Sequence, residues 1–386
     1  MRLPRRLTAS VAASALVVTA LAGCDSDSGS GDKTDIVIGA DLASGSAMDA
    51  AYARALQLRV EQVNASGELG NYNLVLRIQD NRSDPTSSLR NISTLADDPQ
   101  IAAIISGGCS ECAVGAAKTI NDKRVPTIAL APAEEVANPV ESRRYLFKLG
   151  PNASDSAATL VSELVRTGTK KVALLYSDDL YGKGGRSRMV TQLANAGIKV
   201  TNQLPVKPTA TDVTQTVGTL TDAEPDALVV WTGPDQATLA ASSAKVARFA
   251  GRIYFDAAAA GDLFLPQEAA AATNNTTMVF TQILAIDDVV ATTPAKSARK
   301  QWFRDYTSRY GSYSGVASFG ADAVSLIADA VARVGGDRRQ IRDILETSQT
   351  DGLSGPIRLT PDNHSGLMPQ ALTLLVARSG RWRLLS

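Results

Sequence analysis

From Thr34 onward, short β-branched runs alternate with longer stretches in which apolar residues recur every three or four positions. That alternation predicts strands followed by amphipathic helices. Ile36-Val37-Ile38 reads as a first strand, Ser44-Gly45-Ser46 as a loop, and the helix after it carries Met48, Ala51, Ala55 and Leu58 on one face. Further strands are predicted over residues 74–78, 101–105 and 125–130, with helices over 85–97 and from the loop Gly107-Gly108-Cys109-Ser110 to near Lys123. The pattern breaks at Leu149-Gly150-Pro151-Asn152 and then restarts. The second series predicts strands over 172–176, 198–204, 227–231, 252–255 and near 278–282, with helices over 184–196 and 235–249. Two long helical stretches follow, 295–309 and 317–334, and the tail over 357–384 reads as strands and turns. Strands alternating with helices imply βαβ units and parallel sheets covered on both faces. The chain is therefore read as α/β with two Rossmann-like lobes of similar size. Open parallel sheets bind ligands outside the carboxyl ends of their strands, and two such lobes enclose a cleft that can close by hinge motion.

The segment before Thr34 changes the compartment. Arg2, Arg5 and Arg6 precede an apolar or small run from Leu7 to Gly23, which ends at Cys24. That is the layout of a secretory signal, and it falls short of the ~20 apolar residues of a membrane span. Leu21-Ala22-Gly23-Cys24 resembles a bacterial lipobox, whose cysteine carries lipid and becomes the first residue of the mature chain. Residues 1–23 are accordingly read as a lipoprotein signal peptide. Residues 24–33 are polar and rich in Gly and Ser, the composition of a flexible tether. Lipid on Cys24 would hold the protein on the outer face of the cytoplasmic membrane.

Composition narrows the partners. The chain has 39 basic and 39 acidic residues; removing residues 1–23 leaves 36 against 39, a net charge of −3. So mild a balance argues against a nucleic-acid partner. Besides Cys24 there are two cysteines, Cys109 and Cys112, and in an exported protein such a pair is expected as a disulfide. A C-x-x-C at a helix start can also be redox-active.

Several landmarks in order carry a resemblance to the type I periplasmic-binding-protein fold, in its Leu/Ile/Val-binding branch. Gly39-Ala40-Asp41-Leu42-Ala43-Ser44-Gly45 resembles the family's first strand and Ser-Gly loop, and Val63-Asn64-Ala65-Ser66-Gly67 its first helix end. Asp80-Asn81-Arg82-Ser83-Asp84-Pro85 resembles its Asp-Pro turn, Gly107-Gly108-Cys109-Ser110 its ligand loop, and Asp179-Leu180-Tyr181-Gly182 a turn of the second lobe. Residues 126–132 resemble its proline-bounded strand. The resemblance implies a three-segment hinge, here near 150, 282 and 354. It assigns 34–150 and 283–354 to the first lobe, and 151–282 and 355–386 to the second. It also implies an amino acid or related small molecule as ligand, an ABC permease as partner, and a monomer. The same fold serves ligand-sensing receptors, so a sensor acting with a separate signalling partner is the alternative.

A zwitterionic ligand asks for N–H groups and hydroxyls at its carboxylate and a carboxylate at its ammonium. Ser110 follows the third strand, where the family binds the ligand carboxylate; it also suits an ordinary helix cap. Ala133, Glu134 and Glu135 follow the fourth strand, where the family touches the ligand's amino end. The two acids there fit either an ammonium or the start of a helix. Tyr181 matches a tyrosine that closes over the ligand. Thr232 and Gly233 occupy a place where the family often has an aromatic, which Trp231 would have to replace. Asp256, or Ala258 beside it, falls near the family's ammonium-binding acid. Ser44 belongs to the first loop, and Met48 stands either over the ligand side chain or in the core.

Catalysis finds little support. His364 is the only histidine and sits in the turn-like Asp362-Asn363-His364-Ser365-Gly366. No G-x-S-x-G elbow, H-E-x-x-H or Walker A sequence occurs, and Gly182-Lys183-Gly184-Gly185-Arg186 lacks the third glycine of a dinucleotide fingerprint, so it reads as a turn. Neither a cofactor nor a metal is expected.

Overall fold

The computed structural model describes residues 33–261 and 267–385. The first lobe is built on five parallel strands in the order β2-β1-β3-β4-β5: β1 (Thr34–Leu42), β2 (Tyr72–Asp80), β3 (Ile101–Ser106), β4 (Thr127–Ala129) and β5 (Leu146–Lys148). Helices α1 (Ala47–Ser66), α2 (Pro85–Asp97) and α3 (Ser110–Lys123) make its crossovers. All six positions of β3 are buried, as a central strand covered on both faces requires.

The second sheet has seven strands. Its parallel members are β6 (Lys171–Ser177), β7 (Lys199–Val206), β8 (Ala227–Trp231), β9 (Arg252–Phe255) and β10 (Thr277–Thr281). Helices α4 (Ala153–Arg166), α5 (Leu180–Asn195), α6 (Thr214–Thr221), α7 (Pro234–Val246) and α8 (Gln267–Thr273) accompany them. Helices α9 (Pro294–Tyr310), α10 (Ala317–Val334) and α11 (Arg338–Leu345) follow, then the short pair β11 (Gln349–Asp351) and β12 (Pro356–Arg358). The last strands are β13 (Leu372–Arg378), antiparallel to β10, and β14 (Arg381–Leu384), antiparallel to β13, which complete the second sheet. The α/β class and the two parallel sheets read from the hydrophobic pattern are thus present.

Three details differ from the sequence reading. The glycine-rich stretch 182–186 lies inside α5 and is no turn. A Cβ on Gly182 would stand 2.0 Å from the Ser177 carbonyl oxygen, and one on Gly185 would stand 2.0 Å from the Trp231 indole nitrogen. The glycines let α5 approach β6 and β8.

The second and third hinge passages also lie later than 282 and 354. Residues 282–288 stay on the second lobe. There the Asp287 side chain pairs with Arg381 at 2.8 Å, and Asp288 pairs with Arg383 at 2.8 Å and accepts the Leu384 N–H at 2.9 Å. The first lobe is reached only with α9, where Gln62 of α1 donates to Asp305 at 3.0 Å.

Residues 356–367 remain on the first lobe. Lys148 N–H donates to the His364 carbonyl at 2.9 Å, and Gly366 N–H to the Lys148 carbonyl at 2.8 Å. The buried His364 ring lies 4.3 Å from the Phe147 ring, with Nδ1 3.0 and 3.1 Å from two carbonyl oxygens and Nε2 3.2 Å from a Glu346 carboxylate oxygen. The only histidine therefore fastens the tail to the first lobe. The chain returns to the second lobe at β13.

Candidate functional site

In parallel sheets every loop after a strand emerges at the same edge. The loops after β1, β3 and β4 form one such edge, and those after β6, β8 and β9 form the other. Asp49, in the first turn of α1, joins two loops of the first edge: it accepts N–H groups from Ala43 at 2.7 Å and Gly108 at 2.8 Å. A Cβ on Gly107 would sit 2.4 Å from the same carboxylate, so glycine is needed for this close approach. Burial raises the Asp49 carboxyl, and the two N–H groups counter it. Cys109 and Cys112 are joined at an S–S distance of 2.00 Å, which ties the cap residue of α3 to its first turn around Ser110 and Glu111.

Two adjoining cavities lie between the edges and share Met48 and Val316 as walls. The inner one, about 20 Å³, is walled by Met48, Tyr52, Leu130, Pro132, Gly150, Pro151, Tyr181, Ala257, Ala258, Phe280, Val316 and Phe319. Phe280 of the second lobe meets Phe319 edge-on at 5.9 Å, an arrangement that adds about 0.5–1.5 kcal/mol to the area buried. The outer one is about 550 Å³. Its wall brings Ser46 and Met48 of the first lobe to Pro234, Asp235 and Thr238 of α7, with Phe255, Thr273, Ser314 and Trp382 around them. Asp235 is the charged residue among those described on this wall.

Of the residues singled out from the sequence, Met48 and Tyr181 line these cavities. The geometry engages the others elsewhere. Ser44 turns to the Asp80 carboxylate, donating from N–H at 3.0 Å and from its hydroxyl at 2.7 Å. Ser110 is buried and accepts the Ala133 N–H at 3.2 Å, so these two hold the β3 and β4 loops together. Glu134 reaches across to the second lobe, accepting the Ser154 N–H at 2.7 Å and pairing with Arg188 at 2.7 Å. Glu135 is exposed and faces Gly184 of α5.

Asp256 is fully buried and already satisfied. One of its oxygens accepts the Thr232 N–H at 3.1 Å; the other accepts the Ala258 N–H at 2.9 Å and the Tyr181 hydroxyl. Burial pushes this carboxyl up to about 7, against the pull of its three donors. It sets the position of Tyr181 from behind, and Ala258 takes the place on the wall. Thr232 and Gly233 carry the chain into α7, and Trp231 is sealed beneath α5, so Trp231 does not supply an aromatic at that place.

Sequence reasoning missed Lys148. Its buried ammonium donates to the carbonyls of Gly150 at 2.6 Å and Pro151 at 3.2 Å, and to Asn152 Oδ1 at 2.9 Å. It thereby fixes the segment between β5 and α4, whose Gly150 and Pro151 wall the inner cavity. Burial pushes it down to about 7, and Glu134, Asp155 and Glu135 oppose that. An apolar-looking strand gives no hint of a lysine bent back on its own loop. Cys24 and its tether lie outside the described residues.

Comparison with solved structures agrees on the fold. An extracellular ligand-binding receptor from Rhodopseudomonas palustris HaA2 superposes with a TM-score of 0.82 at 20% identity, covering 92% of this chain and 100% of the other. The leucine-binding protein LivK from Thermotoga maritima MSB8 gives 0.78 at 18%, covering 92% and 98%. An ABC transporter substrate-binding protein from Desulfitobacterium hafniense, in complex with Leu, gives 0.73 at 18%, covering 91% and 100%. No curated protein matches the sequence. The Periplasmic binding protein family matches residues 37–381, so with two α/β lobes facing each other across a cavity the chain belongs to that family of ligand-binding proteins.

Proposed function

We propose that this chain is an exported, lipid-anchored solute-binding protein. It captures a small amine-bearing molecule with an apolar side chain, an amino acid or a close relative, and delivers it to an ABC importer. The supporting observation is the wall of the paired cavities: an apolar inner part around Met48, Phe280, Val316 and Phe319, and an outer part whose charged residue is the acid Asp235. The outer part, about 550 Å³, has room for such a solute with its ammonium at Asp235, and the inner part, about 20 Å³, offers an apolar surface to the end of its side chain. The leader and the Leu21-Ala22-Gly23-Cys24 sequence support export and the lipid anchor.

The test is thermal stability of the tether-free protein against amino acids, short peptides, amides and polyamines. A bound solute stabilises by RT ln(1 + [L]/Kd), about 2.7 kcal/mol at a hundredfold excess over Kd. An amino-acid shift that Asp235→Asn weakens supports the reading; no shift with any amine overturns it. Metabolic lipid labelling that disappears in Cys24→Ala tests the anchor.

A further inference from the structure

The two lobes are joined by carboxylates that reach from one to the start of helices in the other. Glu111, in the first turn of α3 beneath the Cys109–Cys112 disulfide, accepts the Leu180 N–H at the first residue of α5, 2.8 Å away. Glu134 accepts the Ser154 N–H near the start of α4 at 2.7 Å. The residue that would ordinarily cap α4, Asn152, makes no side-chain cap bond; its Oδ1 accepts from Lys148 and its Nδ2 donates to Asp155. A first-lobe acid therefore does the capping. Arg188 of α5 adds two N–H bonds to the other Glu134 oxygen, at 2.7 and 3.1 Å.

We propose that Glu111 and Glu134 form the closure latch of this protein: they are positioning residues that hold the lobes together by capping α5 and α4 across the cleft. Each of these contacts exists only when the lobes are apposed. Separation returns a carboxylate and a helix N-terminus to water, and an anion at that end of a helix is favourable through its free N–H groups and its dipole. Since apparent affinity scales with the fraction of molecules in the binding-competent arrangement, the latch raises affinity without touching the ligand. That consequence for affinity rests on the solute-binding reading; the latch does not.

Small-angle scattering on protein stripped of ligand by unfolding and refolding tests this directly, from low salt to 1 M sodium chloride. Glu111→Gln with Glu134→Gln should raise the radius of gyration, corresponding to about a tenfold fall in the ratio of apposed to separated lobes, the change that roughly 1.4 kcal/mol brings. Salt should expand the parent and leave the double variant unchanged. Arg188→Gln, an exposed substitution, reads the Glu134 contact alone and should expand the molecule less. Parent, double variant and Arg188→Gln scattering alike at every salt concentration would overturn the latch. The measurement uses no solute, so its failure leaves the binding reading standing. A solute panel without any shift, beside a salt-sensitive radius in the parent, would remove the reading and keep the latch.

Discussion

The two cleft edges have the same construction and opposite habits. On the first lobe, the loops after β3 and β4 send acids outward, and Glu111 and Glu134 find their partners in the other lobe. On the second lobe, Tyr181, Thr232 and Ala258, which follow β6, β8 and β9, all meet on the buried Asp256, and Asp235 is the acid left on the cavity wall. Position along the chain marks which residues stand at the edge. It does not tell whether a side chain turns toward solvent, toward the cleft or back into its own lobe, because that depends on which donors the neighbouring loops leave unpaired.

The sharpest way to break this contrast is to remove the inward partner. Asp256→Ala strands a hydroxyl and two N–H groups and should cost at least about 1–3 kcal/mol in denaturant unfolding, the penalty of leaving a buried polar group unpaired. A loss below ~1 kcal/mol would mean that the second edge is not held from within. Gly185→Ala, which forces α5 away from Trp231, should cost about 1–3 kcal/mol by overpacking. An unchanged midpoint would show that α5 shifts freely.

Two buried groups predict a bend in stability with pH. The folded Asp256 titrates at about 7 against an ordinary 3.8, so over that interval the folded chain binds the extra proton and stability falls as pH rises. Lys148 titrates at about 7 against 10.5, so above 7 the unfolded chain binds the extra proton and stability rises with pH. Asp256→Asn should flatten the acid limb and Lys148→Met the alkaline limb; limbs that persist in both variants would assign the bend to other groups. The smallest effect is expected at Ser44→Ala. Loss of its exposed bonds to Asp80 should barely move the unfolding midpoint and leave any solute-induced shift intact. Loss of that shift would return Ser44 to the site.

Much of the architecture was legible because apolar periodicity is set by burial. The bounds of β8, β9, α2 and α10 agree with the pattern, and each of these elements is covered along at least one face. Helices α6 and α11, with eight residues each, were not read, nor was the three-residue β5. Elements that short hold too few turns or repeats to show a period. The glycines of α5 misled because a helix that must approach a sheet closely uses the same residues as a turn. At the site, the positions were legible and the contacts were not. Ser44, Glu134 and Asp256 differ from Met48 and Tyr181 in what their neighbours demanded of them, and those neighbours arrive from distant parts of the chain.

The packing of α10 against α1 has a consequence for the order of folding. Arg59 of α1 donates to Ser325 of α10 at 2.9 Å, and a Cβ on Gly320 would lie 3.3 Å from that of Ala55. The β1–α1–β2 unit is complete by residue 80, yet α1 keeps one flank bare until residues beyond 317 arrive. Such long sequence separation slows folding and prolongs the life of partly exposed intermediates. Substitutions on the α10 face that meets α1 should therefore govern how fast the earliest part of the chain becomes native.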